Sequence, residues 1–202
     1  MTADDVAGFE RCIAAGGVAL FPADTVYGLA ADPDSPAAVE RLNELKGRAP
    51  SRPAAVMFFS LDRALEALPD LGPRTRAAVR RVLPGAVTLV LPNPARRYPL
   101  ACGPAPERIG LRVPDLNGAL EPLRAMTLPV LQSSANPSGG SDARRLADVD
   151  PALLAGVDAV LDGGELPGTP SSVVDLTRYE SGGGHELLRE GAVERARLDA
   201  LL

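Results

Sequence analysis

The sequence predicts an α+β domain of three layers, with a mixed parallel and antiparallel sheet of about seven strands flanked by helices. Three observations predict it. Apolar runs of strand length, VALFP (18–22), AAVMFF (54–59) and AVTLVL (86–91), alternate with segments whose apolar residues recur at helical spacing. No internal repeat or linker divides the 202 residues, so 1–202 read as one domain, long enough to bury a substantial core. Aromatic residues make up 3% and Trp is absent, so that core is expected to rest on Val, Leu, Ala and Ile.

The elements follow in order. Thr2 N-caps a first helix in which Val6, Phe9, Cys12 and Ile13 share a face, ended by Gly16-Gly17. VALFP is a short buried strand, and PADTVYGLA (22–30) leaves it as a turn. Ser35-Pro36 starts a second helix with Pro at its first position, and Val39, Leu42 and Leu45 follow at helical spacing. AAVMFF is a strand; 61–68 and 73–83 are helices; AVTLVL is a strand closed by Pro92. Residues 93–106 form a long Pro-rich loop, expected to be the mobile segment. IGLRV (109–113), a short helix and PVLQSS (129–134) come next, then a helix around 145–155 and strands near 157–161 and 172–176. HELLRE (185–190) follows the turn SGGG, and AVERARLDALL closes as a helix.

Composition narrows the function classes. The hydrophobic share of 46% and charged share of 23% are those of a soluble globular protein. No run approaches the roughly 20 apolar residues that span a bilayer, and MTADDVAGFERC is acidic where an export signal would be basic. Cys12 and Cys102 are the only cysteines; Cys12 is expected to be a buried thiol and no structural disulfide is expected, which favours the cytoplasm. A net charge of −5 argues against a general nucleic-acid surface but leaves room for one basic pocket. There is no G-x-x-x-x-G-K-[ST], G-x-G-x-x-G or G-x-S-x-G, and no paired Cys or His at metal spacing. His185, the single histidine, reads as a surface or strand-edge residue.

What remains is a set of polar loops at strand and helix ends. LKGRAPSRP (45–53) crowds Lys46, Arg48 and Arg52 where a helix stops. PADTVYGLA, SSANPSGGS (133–141), PSSVVDL (170–176) and LLREG (187–191) each leave or flank a strand, where ligands bind in sheets flanked by helices. Ser hydroxyls, an Asn amide and glycine-freed N–H groups are donors to phosphate oxygens, and Lys46, Arg48 and Arg189 supply the matching charge. Taken singly, each has an ordinary explanation: a helix C-terminus favours cations, and Ser, Asn, Pro and Gly are turn residues. Together they point to a polyanion, handled by positioning and electrostatic stabilisation.

FPADTVYGLAAD, LKGRAPSRP, LPGAVTLVL, IGLRVPD, SSANPSGG, SSVVDL and LLREGAV, in this order, resemble the YrdC-like family of threonylcarbamoyl-AMP synthases over about residues 8–193. The K-x-R and S-x-N pair, Lys46/Arg48 and Ser134/Asn136, carries the resemblance. It implies a twisted sheet with a positive concave face, and a nucleotidyl transfer in which L-threonine, bicarbonate and ATP give threonylcarbamoyl-AMP and pyrophosphate. It implies further that the product feeds N6-threonylcarbamoylation of adenosine 37 in tRNA through downstream transferase proteins, and that Mg2+ accompanies the phosphates.

By similarity, Lys46, Arg48, Ser134, Asn136 and Arg189 take the nucleotide, with Arg52 and Ser141 as additions. Lys46 and Arg48 are the catalytic cations. Thr25, Arg112 and Ser172 line the threonine and carbamate side, Arg112 as a bidentate fork on the substrate carboxylate. The chain departs from the family pattern at Ala23, Ala86, Ser172, Glu190, Arg52 and Met57; Ala23 and Met57 bear on amino-acid selectivity. The sequence is expected to lack the extra C-terminal domain of longer members. Two other readings stay open: a paralogue with another amine substrate, and a double-stranded-RNA-binding module, against which net acidity and few aromatics weigh.

Overall fold

The structure, a computed structural model, describes residues 1–49 and 51–202. Its strands are β1 (Ala19–Pro22), β2 (Tyr27–Ala31), β3 (Ala55–Met57), β4 (Val87–Pro92), β5 (Arg108–Arg112), β6 (Val130–Ser134), β7 (Ala159–Val160), β8 (Ser172–Asp175) and β9 (Glu186–Arg189). They form one mixed sheet in the order β7-β1-β2-β6-β3-β5-β4-β8-β9. The pairs β1/β7, β3/β5 and β4/β8 are parallel and the others antiparallel.

Local sequence explains the helix starts. In α1 (Ala3–Ala14) the Thr2 hydroxyl accepts from Asp5 N at 3.2 Å, and Thr2 N donates to the Asp5 carboxylate at 2.7 Å, a reciprocal capping box. The buried stripe Val6, Phe9 and Ile13 turns α1 onto β1 and β7. Phe9 stacks on Phe21 at 5.4 Å, and Phe59 meets both rings edge-on at 6.2 Å. Three of the seven aromatic residues thus meet where α1 packs on the sheet, each such pair being worth about 0.5–1.5 kcal/mol beyond its burial. Cys12 is half-buried, less enclosed than its stripe suggested, and both cysteines are free.

Helix α2 (Pro36–Leu45) is capped by Ser35, with Pro36 at its first position, and ends at Lys46 followed by Gly47 at φ +57°. That left-handed residue turns the chain out of the helix, where glycine carries no Cβ penalty. Helices α3 (Leu61–Ala67) and α4 (Pro73–Val82) precede β4, and α7 (Arg195–Leu201) packs on α4.

The sheet has two strands more than expected. YGLAA, read from sequence as part of a turn, is β2, held between β1 and β6 with Gly28 opposite Ser134. A Cβ on Gly28 would stand 3.2 Å from the Ser133 carbonyl oxygen of the neighbouring strand and 3.2 Å from the Phe21 ring, a tight fit for any larger residue. The other addition is β9, within HELLRE, which pairs with β8 across an irregularity at Val173/Val174.

Two further expectations are corrected. The helix around 145–155 is interrupted: a 3-10 turn at Leu146–Asp148 gives way to α6 (Pro151–Gly156), capped by Asp150 accepting from Ala152 N at 2.7 Å. Pro151 suits a first helical position and breaks an interior one. The loop 93–106 is a tethered excursion. Asn93 Nδ2 donates to the carbonyls of Arg97 and Pro106 at 2.9 Å, and α5 (Pro99–Cys102) buries Ala101 and Cys102. The short helix after β5 is a 3-10 helix, Gly118–Ala125. Among the described residues no helix is long and apolar enough to cross a membrane.

Candidate active site

Strand β4 shows how the sheet makes a site. Val87, Leu89 and Leu91 are buried in the core, while Thr88 and Val90 point the other way and line a cavity of about 700 Å³. That volume is in the range of small-molecule sites. The register aligns Gln132, Ala55, Gly110 and Val90 across β6, β3, β5 and β4 as one row of its floor. A second row runs Arg112, Thr88, Val173, Arg189 through β5, β4, β8 and β9. Gly110 lies so close to Ala55 that a Cβ would stand 3.2 Å from its Cα, and these two small residues keep the floor low.

Charge is segregated here. In a chain of net charge −5, the lining carries Lys46, Arg48, Arg52, Arg108, Arg112 and Arg189 against one carboxylate, Asp142. Arg108 is ion-paired with Asp175 and Arg112 with Asp24. Among the described residues the other four cations make no carboxylate pair. Cations on α4 are engaged elsewhere: Arg76 donates to carbonyls of Leu65 and Leu68, and Arg81 to that of Leu201.

The K-x-R and S-x-N turns meet. Lys46, 4% exposed, donates from Nζ to the Ser134 carbonyl, to the Asn136 carbonyl at 2.6 Å and to Asn136 Oδ1 at 3.1 Å. In return Ser138 N donates to the Lys46 carbonyl at 2.9 Å. Ser134 Oγ donates to Asn136 Oδ1 at 2.6 Å, fixing the carboxamide. Arg48 reaches Ser133 Oγ at 3.1 Å and the Arg52 carbonyl at 2.7 Å, and Arg52 reaches Ser138 Oγ at 3.2 Å. Arg48 Nε is buried with no partner among the described residues, an unspent donor. Burial, helped by the charge on Arg48, pushes the Lys46 pKa down to about 8, and Asp142 works against that shift. Burial and the neighbouring Arg52 also lower the pKa of Arg48.

On the other side Thr25, buried, accepts from Arg112 Nη2 at 3.1 Å. Arg112, expected from the sequence as a bidentate fork on the substrate carboxylate, is engaged within the protein in this structure. The side chain is 2% exposed; its Nη2 is paired with Asp24 and its Nη1 donates to the Gly85 carbonyl at 3.2 Å. The carboxylate it holds is the protein's own, and burial lowers its pKa against the opposing pull of Asp24.

Ser172 is also misplaced by the sequence reading. It is 0% exposed and faces away from the cavity, its Oγ donating to the Val193 carbonyl at 2.6 Å and accepting from Gly191 N and Val193 N. Strand alternation gives the cavity to Ser171 and Val173 instead. Ser171 Oγ lies 2.9 Å from Thr88 Oγ1, and its carbonyl accepts from Arg189 Nη2 at 2.7 Å. Gly191 permits this approach, since a Cβ there would meet the Pro170 carbonyl at 2.3 Å. Ser141 is exposed and outside the lining, where its neighbours Gly140 and Asp142 stand. Ala23 and Met57 are buried and outside it as well. Sequence reasoning missed Thr88, Arg108, Gln132, Ser133, Ser138, Asp142 and Ser171; a polar residue at alternate positions of an apolar strand, as in AVTLVL and VLQSS, was the available signal.

Comparison with known proteins follows the same residues. A family model described as "Telomere recombination", for Sua5, YciO and YrdC proteins, matches residues 11–191. The chain is 28% identical over 197 residues to threonylcarbamoyl-AMP synthase of Pyrococcus abyssi, covering 97% of this chain and 56% of that protein. It is 36% identical over 154 residues to the threonylcarbamoyl-AMP synthase of Stenotrophomonas maltophilia, covering 74% and 81%. The crystal structure of P. abyssi Sua5 complexed with L-threonine superposes with a TM-score of 0.83 at 25% identity, covering all of this chain and 58% of that one. The chain therefore spans little more than half the length of its P. abyssi relative.

Proposed function

The chain belongs to the Sua5/YciO/YrdC family, and from that premise we propose that it makes threonylcarbamoyl-AMP and pyrophosphate from L-threonine, bicarbonate and ATP. Relatives named threonylcarbamoyl-AMP synthase support the reading. The observation that carries it is the contact of Lys46 with the Ser134–Asn136 turn, which gathers cations lacking carboxylate partners at a cavity of ligand size.

The chemistry proceeds in two steps. The neutral amine of threonine attacks bicarbonate and water leaves, giving a carbamate. A carbamate oxygen then attacks the α-phosphorus, and pyrophosphate departs with the bonding electron pair. Negative charge grows on the departing phosphates, so cations already fixed nearby lower the barrier by stabilising that developing charge. Lys46, Arg48, Arg52 and Arg189, with Ser134 and Asn136, take the nucleotide. Arg48 Nε, buried and without a partner among the described residues, is a donor for a phosphate oxygen. Thr25 and Ser171, the latter in place of Ser172, line the amino-acid side. Arg112, paired with Asp24, positions Thr25.

ATP enters as its Mg2+ complex. Mg2+ is usually held by one or two carboxylates together with substrate phosphates and water, and the cavity offers one carboxylate, Asp142. The product would pass to a transferase acting on adenosine 37 of tRNA, in the cytoplasm. The test is pyrophosphate release that requires threonine and bicarbonate together. A rate unchanged when serine or glycine replaces threonine would overturn the assignment.

A further inference from the structure

Asp142 is out of character for its surroundings. It is the one carboxylate lining a cavity shared by six cationic side chains, and among the described residues it forms an ion pair with none of them. Its Oδ1 accepts from Asn136 Nδ2 at 3.3 Å. The same carboxamide receives Lys46 Nζ and Ser134 Oγ on its oxygen, so Asn136 ties the carboxylate to the Lys46 turn. A triphosphate seated against Lys46 and Asn136 would bring its oxygens beside this carboxylate. Like charges brought together in a half-buried site repel. A divalent cation held there would offset that repulsion. A hard oxygen donor next to phosphate oxygens is the set that Mg2+ prefers.

We propose that Asp142, oriented by Asn136, is the protein's ligand to the Mg2+ carried by ATP. The inference rests on the ATP-binding reading above. It gives the SSANPSGGSD segment two tasks: the Ser134–Asn136 turn fixes Lys46, and the residue past the glycines meets the metal. Gly139, at φ +86°, and Gly140 lie between them and line the cavity, bringing the chain back toward it.

The experiment is a calorimetric titration of the whole protein with ATP, once in EDTA and once in saturating Mg2+, for the wild type and for Asp142→Asn. The wild type should bind ATP about fivefold or more tighter with Mg2+. Asp142→Asn should bind more tightly than wild type in EDTA, where a repelling charge has gone, and more weakly in Mg2+, where a ligand has gone. Asp142→Glu should keep the Mg2+ response. A variant that shifts affinity in one direction by the same factor under both conditions would overturn the metal role and leave ATP binding intact. A wild type that binds no ATP under either condition would remove the ATP reading itself, and this inference with it. Because binding in EDTA reports a folded site, loss of fold in the variant cannot imitate the crossover.

Discussion

Lys46 and Asn136 lie 90 positions apart in the chain and touch through two hydrogen bonds, from Nζ to the backbone carbonyl at 2.6 Å and to Oδ1 at 3.1 Å. With the Ser134 carbonyl, three acceptors take up all three protons of the ammonium. Lys46 therefore acts on the site in two ways, as a buried charge and as the clamp that shapes the S-x-N turn.

Lys46→Ala removes both. Turnover should fall by about 10²–10³-fold, the loss typical of deleting a transition-state charge contact. The buried acceptors left unpaired should also cost about 1–3 kcal/mol each in stability. Steady-state pyrophosphate release and thermal unfolding check the two effects; near-normal turnover would make Lys46 a structural residue only.

A pH dependence follows from the same burial. With its pKa lowered from 10.5 to about 8, Lys46 loses its charge as pH rises through that value. ATP affinity should therefore weaken above about pH 8, and Lys46→Arg should abolish that limb. For folding the sign is reversed: between about 8 and 10.5 the unfolded chain binds the proton that the folded chain has released, so this group's contribution to stability rises with pH in that window. Isothermal titration with ATP from pH 7 to 9.5 reads the first effect. A pH-independent affinity would contradict it.

Ser171 and Ser172 should behave oppositely. Ser172→Ala deletes one hydrogen bond donated to Val193 and two accepted from backbone N–H groups. It should lower stability by about 1–3 kcal/mol, with little change in the apparent KM for either substrate. Ser171→Ala should spare stability and raise a substrate KM. Paired melting curves and KM measurements decide, and a Ser172→Ala variant with normal melting and a raised KM would reverse the orientation described for β8.

This pair also shows where sequence reading stops. The hydroxyl-rich SSVV segment was legible as a site-lining strand start, because residue type announces it. Which serine faces the cavity depends on the phase of a two-residue alternation, set by pairing of β8 with β4 and β9 rather than by local sequence. Strand β2 was hidden for a similar reason. YGLAA has little intrinsic strand preference, and only its position between β1 and β6 makes it one. Lys46, Arg48, Ser134 and Asn136 were legible only in conjunction, since each alone has an ordinary use as a helix-end cation or a turn residue, and the fold brings them together. Asp24 as the partner of Arg112 was not, since 88 positions separate them.

That pair gives a further prediction. Arg112→Ala leaves Asp24 without its ion-pair partner in a site where its side chain is 8% exposed, and breaking a buried pair of this kind costs about 3–5 kcal/mol. Adding Asp24→Asn should recover part of the loss. Denaturant unfolding of the two single variants and the double variant measures the coupling. Strictly additive effects would mean that the pair is not coupled.

One assay bears on the whole proposal: mass spectrometry of the products after the pure protein is incubated with L-threonine, bicarbonate and Mg2+–ATP. Threonylcarbamoyl-AMP should appear together with pyrophosphate, and both should vanish when any one substrate is left out. ATP consumed without that adenylate, or no consumption at all by a protein that binds ATP, would contradict it.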